Sequence, residues 1–437
     1  MSPQPSLVLE HATVIAGDGS DPLLDASVVL AGERILDVVA GRTPEVGDTV
    51  TTVDVSGSYV MPGLIDAHCH MTYGESRTQE EQDLYTGVEA RTLRAAWNAR
   101  RVLKAGVTSI SQPGGSYYIG VALRDAIAQG YLQGPRMFTA GRYLTTSNGL
   151  TDFYPDSVGN PEGGIGILTN TLAEMINEVR HQVKNGVDLI KLADSPNGDF
   201  QAFTDEEVRV LTELVHQLGK KITIHARGKG EVRAAVRAGV DWIMHGNIMD
   251  ERTVDELAAS AIPLVPTLLL LANWADYGER VGVPRSYIDG AKAMLEVTSK
   301  SLHLAHAAGV QMIMGTDTGF AITPYGEWHA RELELLMTYA GLTAGEAIVS
   351  ATSAAAQTVG LEGHVGMVRP GFYADFLVLS KNPLADVRVL QDPSNIKKIF
   401  KGGVEQTFGP ETNVPWPNDR AKIISLADLR FAEVGFV

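Results

Sequence analysis

The sequence predicts an α/β fold: a (β/α)₈ TIM barrel with a small β-sandwich built from both ends of the chain. Two observations carry this. Between residue 62 and about residue 360, short apolar runs alternate with amphipathic helical stretches, and the runs number eight. Repeated βα units favour a parallel sheet, and eight of them favour a closed barrel. Outside that span, both ends are rich in short strands and turns. The 437 residues suffice for one barrel of about 250 residues and a smaller companion.

The first sixty residues give β-rich runs at 7–10, 13–15, 26–31, 34–39 and 50–55, with turns at Gly17-Asp18-Gly19 and Ala31-Gly32-Glu33. Strands this short cannot bury a core alone. Their partner is expected at the other end, where 371–380 reads G-F-Y-A-D-F-L-V-L-S and 396–401 precedes the turn Gly402-Gly403. The expected division is therefore 1–61 plus 361–437 for the small domain and 62–360 for the barrel. Barrel runs fall at 61–67, 107–111, 136–140, 187–192, 221–224, 240–244, 262–265 and 310–314. Helical segments follow them, as at 205–218 and 331–340. A doubly wound open sheet is the alternative, but no G-x-G-x-x-G follows the first run.

Composition narrows the partners. With 44% hydrophobic and 20% charged residues the chain reads as a compact soluble enzyme. A formal charge of −16 repels phosphate backbones and anionic bilayers, so neither nucleic acid nor membrane is expected. The longest apolar stretch, 262–272, is too short to span a bilayer and contains Pro263 and Pro266. Residues 1–10 carry no signal-peptide pattern, and one cysteine makes no internal disulfide, so a cytoplasmic location is expected.

The sharpest local pattern is Gly63-Leu64-Ile65-Asp66-Ala67-His68-Cys69-His70. Side chains alternate along a strand, so His68 and His70 share a face, as one divalent cation requires. Alone, such a pair is more often two unrelated histidines, and Cys69 reads as a small packed residue. Four further residues change that. Lys191 lies in an apolar run, where an ammonium is costly. His225, His245 and Asp317 each end a run or closely follow one. The carboxyl ends of barrel strands are where such enzymes place their active sites. Six such residues on one rim point to a metal centre.

In this order the residues resemble those of the amidohydrolase superfamily, and the likeness covers nearly the whole chain, including Val368-Arg369-Pro370-Gly371 and Ala374-Asp375. The lysine and Met244-His245-Gly246 are similar to imidazolonepropionase-like and prolidase-like members. The resemblance implies two divalent ions, usually zinc, with cobalt or manganese also accepted. Lys191 is implied to be carboxylated by CO₂ to a bridging carbamate, which offers hard oxygens where an ammonium offers none. His68, His70 and Asp317 would serve one ion and His225 and His245 the other. Asp317 would be the catalytic residue, taking a proton from the attacking water and passing one to the leaving nitrogen.

The loops differ from dipeptidase-like relatives. Ser111-Gln112-Pro113-Gly114-Gly115 stands where those carry Arg-Asp, and Thr145-Thr146-Ser147-Asn148-Gly149 where they carry Gly-His. Both loops look most like those of bacterial phenylurea and molinate hydrolases. Candidate substrate contacts are Gln112, Tyr117, Tyr118, Asn148, Arg227, Trp274 and His329, with Phe153, Tyr154 and Tyr277 as further rim aromatics. Arg227 suits either a substrate carboxylate or a structural ion pair. The expected activity is hydrolysis of an amide-like C–N bond in a small, largely apolar molecule, such as an aryl urea, anilide or carbamate. Alternatives are an Xaa-Pro-type dipeptidase or N-acyl amino acid hydrolase, and a non-catalytic barrel that binds small molecules. The resemblance also implies a homo-oligomer.

Overall fold

The computed structural model describes residues 4–41, 47, 50–76, 78–326 and 328–409. Residues 410–437 of the expected small domain lie outside the described residues. The strands near the two ends share one eight-stranded sheet. Leu7–Val14 pairs antiparallel with Leu23–Ala31 and parallel with both Thr51–Asp54 and Tyr59–Pro62. Tyr59–Pro62 then pairs antiparallel with Phe376–Leu379, which pairs with Ile396–Lys401. Alternate residues of these strands, among them Leu9, Val28, Val60 and Phe376, form a core of their own. The two expected runs at 7–10 and 13–15 are one strand. Its register shifts around His11, whose φ of 63° lets the strand bend without ending.

The run expected at 61–67 is split. Tyr59–Pro62 belongs to the terminal sheet, and Leu64–Asp66 begins the parallel one. Gly63 sits between them with its N–H on the Asp375 carbonyl at 3.0 Å. A Cβ there would lie 2.2 Å from Thr108 Oγ1, so only glycine permits this close approach.

Parallel strands Leu64–Asp66, Val107–Gln112 and Arg136–Thr139 form one sheet. Leu189–Ala193, Lys221–Ala226, Trp242–His245 and Leu264–Val265 run side by side in a second. That second sheet also holds Tyr143–Thr145 and Gly166–Leu168, two short strands absent from the expected pattern. Backbone bonds join the sheets at both edges. The Asp188 N–H donates to the Thr139 carbonyl at 2.8 Å. On the other side, Ile313 N donates to Leu264 O at 2.9 Å, and Ala67 N donates to Met314 O at 3.0 Å.

The eighth expected strand, at 310–314, is therefore extended chain with one bridge, Met312 to Leu264, rather than a regular strand. Immediately beyond it the chain bends through Asp317, whose φ is 55°. Helices follow most runs, and several begin with reciprocal caps. Thr204, for example, accepts from the Glu207 N–H while the Glu207 carboxylate accepts from that of Thr204, opening Asp205–Gln217. Among the described residues no helix is long and apolar enough to cross a membrane.

Candidate metal centre

The strand Leu64–Asp66 ends before the histidine pair, which lies in the bend that follows it. His68 and His70 are buried, with ring centroids 4.8 Å apart, and both reach Asp317 Oδ1, at 3.3 Å and 3.0 Å from their Nε2 atoms. The approach depends on Gly315, where a Cβ would lie 2.3 Å from Val265 Cγ1 and 3.0 Å from the His68 Cβ. His225 and His245 stack edge to face at 4.3 Å, and His245 lies 5.5 Å from His68. Lys191 comes from the middle of Leu189–Ala193 and is 1% exposed. Its Nζ touches Met244 Sδ. All six residues thus meet at one place.

Their second atoms orient the rings. His70 Nδ1 faces the Gly114 carbonyl at 2.8 Å, and His225 Nε2 faces that of Ser195 at 3.1 Å. His245 Nδ1 bonds Thr267 Oγ1. Such outer contacts fix which ring nitrogen is free. His245, Thr267 and Asp317 all have positive φ, at 77°, 52° and 55°, strain that clusters at functional sites.

The electrostatics suit a cation. Burial pushes the imidazoles of His68, His225 and His245 well below their ordinary range, leaving them neutral. Burial also lowers the Lys191 amine to about 7, keeping a free base available. Burial alone would raise the Asp317 carboxyl, but its ionised form is favoured by the neighbouring His68, His70 and Lys191 nitrogens, which hold the group low. His68 Nδ1 and His245 Nε2 are buried without a partner, a cost that a ligand removes. Neutral imidazole nitrogens beside an ionised carboxylate are the donor set that divalent ions take. His68, His70 and Asp317 present ligand atoms within 4.8 Å of one another. Asp66, Cys69 and His329 do the same, but both Asp66 oxygens are already engaged.

The centre opens into a cavity of about 310 Å³. Of the candidate contacts and rim aromatics, Arg227, Trp274 and Phe153 line it. Arg227 donates from Nη1 to Asn247 Oδ1 at 2.9 Å, while its buried Nε has no partner. The other candidate contacts lie elsewhere. Gln112 is fully buried, accepting from the Met71 N–H and donating to Thr139 Oγ1. Tyr118 packs on His181, and Tyr117 is not among the residues that line the cavity. Asn148 is exposed in its loop. His329 is 0% exposed and holds Asp66 from behind the centre. Tyr154 bonds Asp83, and Tyr277 stacks on Trp328. Sequence reasoning passed over Tyr73, Tyr143, Ile165 and Phe320, which do line the cavity. Tyr73 follows His70 by three residues, a hint that was there to read.

A model described as the amidohydrolase family matches residues 59–405. An ochratoxinase of Aspergillus niger is 28% identical, over 94% of this chain and 88% of that protein. The structure of a prolidase complexed with N-methylphosphonate-L-proline superposes with a TM-score of 0.82 at 26% identity, covering 92% of this chain and 99% of that one. A molinate hydrolase, at 20% identity and a TM-score of 0.76, covers 95% of this chain and 99% of its own and shares the fold.

Proposed function

The chain belongs to the amidohydrolase family, and from that premise we propose a hydrolase of amide-like C–N bonds in small, largely apolar molecules. Aryl ureas, anilides and carbamates are the favoured substrates. The observation that carries this reading is the convergence of six buried residues, five of them lining an aromatic-walled cavity and His70 set against Asp317 behind it, with two of their imidazole nitrogens left without partners. His68, His70 and Asp317 would hold one divalent ion, and His225 and His245 a second, with Lys191 between them as a carbamate. Zinc is the expected metal, and cobalt or manganese would fit the same donors. Bound there, such ions acidify water and polarise a carbonyl.

The chain's own groups do the rest. Asp317, kept ionised by its histidine neighbours, accepts a proton from the attacking water and returns one to the leaving nitrogen. Trp274, Phe153 and Phe320 offer apolar surface to an aryl group and exclude water. The division into 62–360 and 1–61 plus 361–437 belongs to the same reading, as do a cytoplasmic location and a homo-oligomer. A second reading, cleavage of an N-acyl amino acid or dipeptide, is favoured by Arg227, whose unpartnered Nε suits a substrate carboxylate.

A substrate panel with metal analysis tests the reading. We expect bound divalent metal and turnover of a phenylurea, an anilide or a carbamate. Dipeptide cleavage without action on those three would move the assignment to the second reading. Metal content near zero, with no activity after zinc or cobalt is supplied, would remove both. Lys191→Ala is expected to lose activity and to regain part of it with added short carboxylic acids; an undiminished Lys191→Ala enzyme would exclude the carbamate.

A further inference from the structure

Amide hydrolysis is speeded by a hydrogen-bond donor aimed at the carbonyl oxygen as charge gathers there. The loop at 145–149 offers no histidine for that task. We propose that the Tyr143 hydroxyl, supported by Tyr73, is the donor, which makes Tyr143 a catalytic residue. The assignment rests on the hydrolase reading above.

Three features place the phenol. Tyr143 opens the short strand Tyr143–Thr145, is 3% exposed and lines the cavity together with Tyr73. Its hydroxyl lies 3.1 Å from His70 Nε2 and bonds the Tyr73 hydroxyl. Space for the ring exists because residue 114 is glycine; a Cβ there would sit 1.7 Å from Tyr143 Cε1. Tyr73 is fixed in turn by stacking on His70, at 4.2 Å and 11° between planes.

Proton accounting gives the direction. His70 Nδ1 faces the Gly114 carbonyl at 2.8 Å, and Nε2 faces both Asp317 Oδ1 at 3.0 Å and the Tyr143 hydroxyl at 3.1 Å, that hydroxyl lying 3.3 Å from Nδ1. A metal held by Asp317 and His70 would occupy the Nε2 lone pair and leave the ring hydrogen on Nδ1, facing the Gly114 carbonyl. The Tyr143 hydroxyl would then accept from Tyr73 and be free to donate into the cavity. Among the other polar groups there, Lys191, His225 and His245 belong to the proposed ligand set, and Arg227 Nη1 is held by Asn247; Arg227 Nε and Thr151 Oγ1 have no partner, but Tyr143 is the hydroxyl that touches the proposed ligand His70.

The test compares the metal-loaded wild type with Tyr143→Phe and Tyr73→Phe, using 4-nitroacetanilide or the panel member turned over fastest. We expect kcat to fall on the order of 100-fold in Tyr143→Phe, with KM nearly unchanged and metal content equal, and a smaller fall in Tyr73→Phe. With the matching thioamide the gap between wild type and Tyr143→Phe should shrink, because sulfur is a weak acceptor. A purely structural phenol would affect both substrates alike. Equal kcat for wild type and Tyr143→Phe, equal loss on amide and thioamide, or loss of metal with loss of activity would each overturn the assignment and leave the hydrolase reading intact. A metal-loaded wild type inert on every amide, urea and carbamate would overturn both.

Discussion

Asp66 ties the two halves of the histidine–aspartate cluster together. Oδ1 accepts from the backbone N–H of His68 and of Thr316, both at 3.0 Å. Oδ2 accepts from Thr316 Oγ1 at 2.6 Å and from His329 Nδ1 at 2.7 Å. An amide in its place turns one acceptor into a donor and leaves buried donors facing each other. Asp66→Asn is therefore expected to cost about 2–4 kcal/mol of stability and to lower metal content, read by thermal melting and metal analysis. Unchanged metal content would show that the cluster keeps its shape without this carboxylate.

The same residues show how far single positions were legible. Strand alternation predicts that His68 and His70 share a face; in the structure the strand stops at Asp66, and the two rings meet instead at Asp317. His329 was expected at the substrate, yet it faces Asp66 across 263 residues of chain. No local pattern carries that partnership. Tyr143 was missed for the same reason, since its place depends on Gly114 and His70 rather than on its own neighbours.

Among the elements, the helix Leu269–Tyr277 delivers Leu270 and Trp274 to the cavity, yet its own N-cap side chain makes no capping bond. The cap comes from another helix. Glu332 of Arg331–Ala340 accepts from the N–H groups of Leu268 and Leu269, each at 2.8 Å. Burial pushes the Glu332 carboxyl up to about 8 from an ordinary value of 4.5. The folded chain then holds a proton that the unfolded chain releases above 4.5. The resulting stability is full below that pH and is lost as pH rises through about 8. We expect the melting temperature of the wild type to fall between pH 5 and pH 8 more steeply than that of Glu332→Gln. Parallel curves would mean that Glu332 keeps the same charge in both states.

Helix 331–340 was legible to its ends because amphipathic periodicity and helix formers agree there. The run at 310–314 was not. Its apolar character reads as strand, but its hydrogen bonds are divided between Leu264 on one side and Ala67 and Ser350 on others. Left-handed residues on that rim, such as Asp317, carry no signature, because they are held by tertiary contacts rather than by glycine.

For the whole molecule, the strand signal at 371–380 was clear in sequence, whereas its pairing with Tyr59–Pro62 shows only in three dimensions. One ion pair sits at that junction. Arg136, from a strand of the parallel sheet, forks onto Asp375 at 2.6 Å and 3.1 Å, and its guanidinium lies 4.1 Å from the centre of the Tyr373 ring. Asp375 also accepts from the Gly402 N–H, so one carboxylate links the parallel sheet, the strand Phe376–Leu379 and the turn after Ile396–Lys401. Its side chain is 1% exposed and that of Arg136 is 23% exposed, so the pair is largely dry. Removing one partner strands the other, which for buried pairs costs about 3–5 kcal/mol. Asp375→Ala should therefore lower the free energy of unfolding, measured by denaturant titration, by about 3 kcal/mol, at the weaker end because Arg136 keeps some solvent. Turnover by the folded fraction should be unaffected, since neither residue lines the cavity. The double change Arg136→Met with Asp375→Leu removes both charges, and replacing a buried pair with apolar groups is often neutral. It should recover most of the loss. A double variant as unstable as Asp375→Ala would mean that the Gly402 contact and the Tyr373 stacking, rather than the charge pair, hold the terminal sheet against the parallel one.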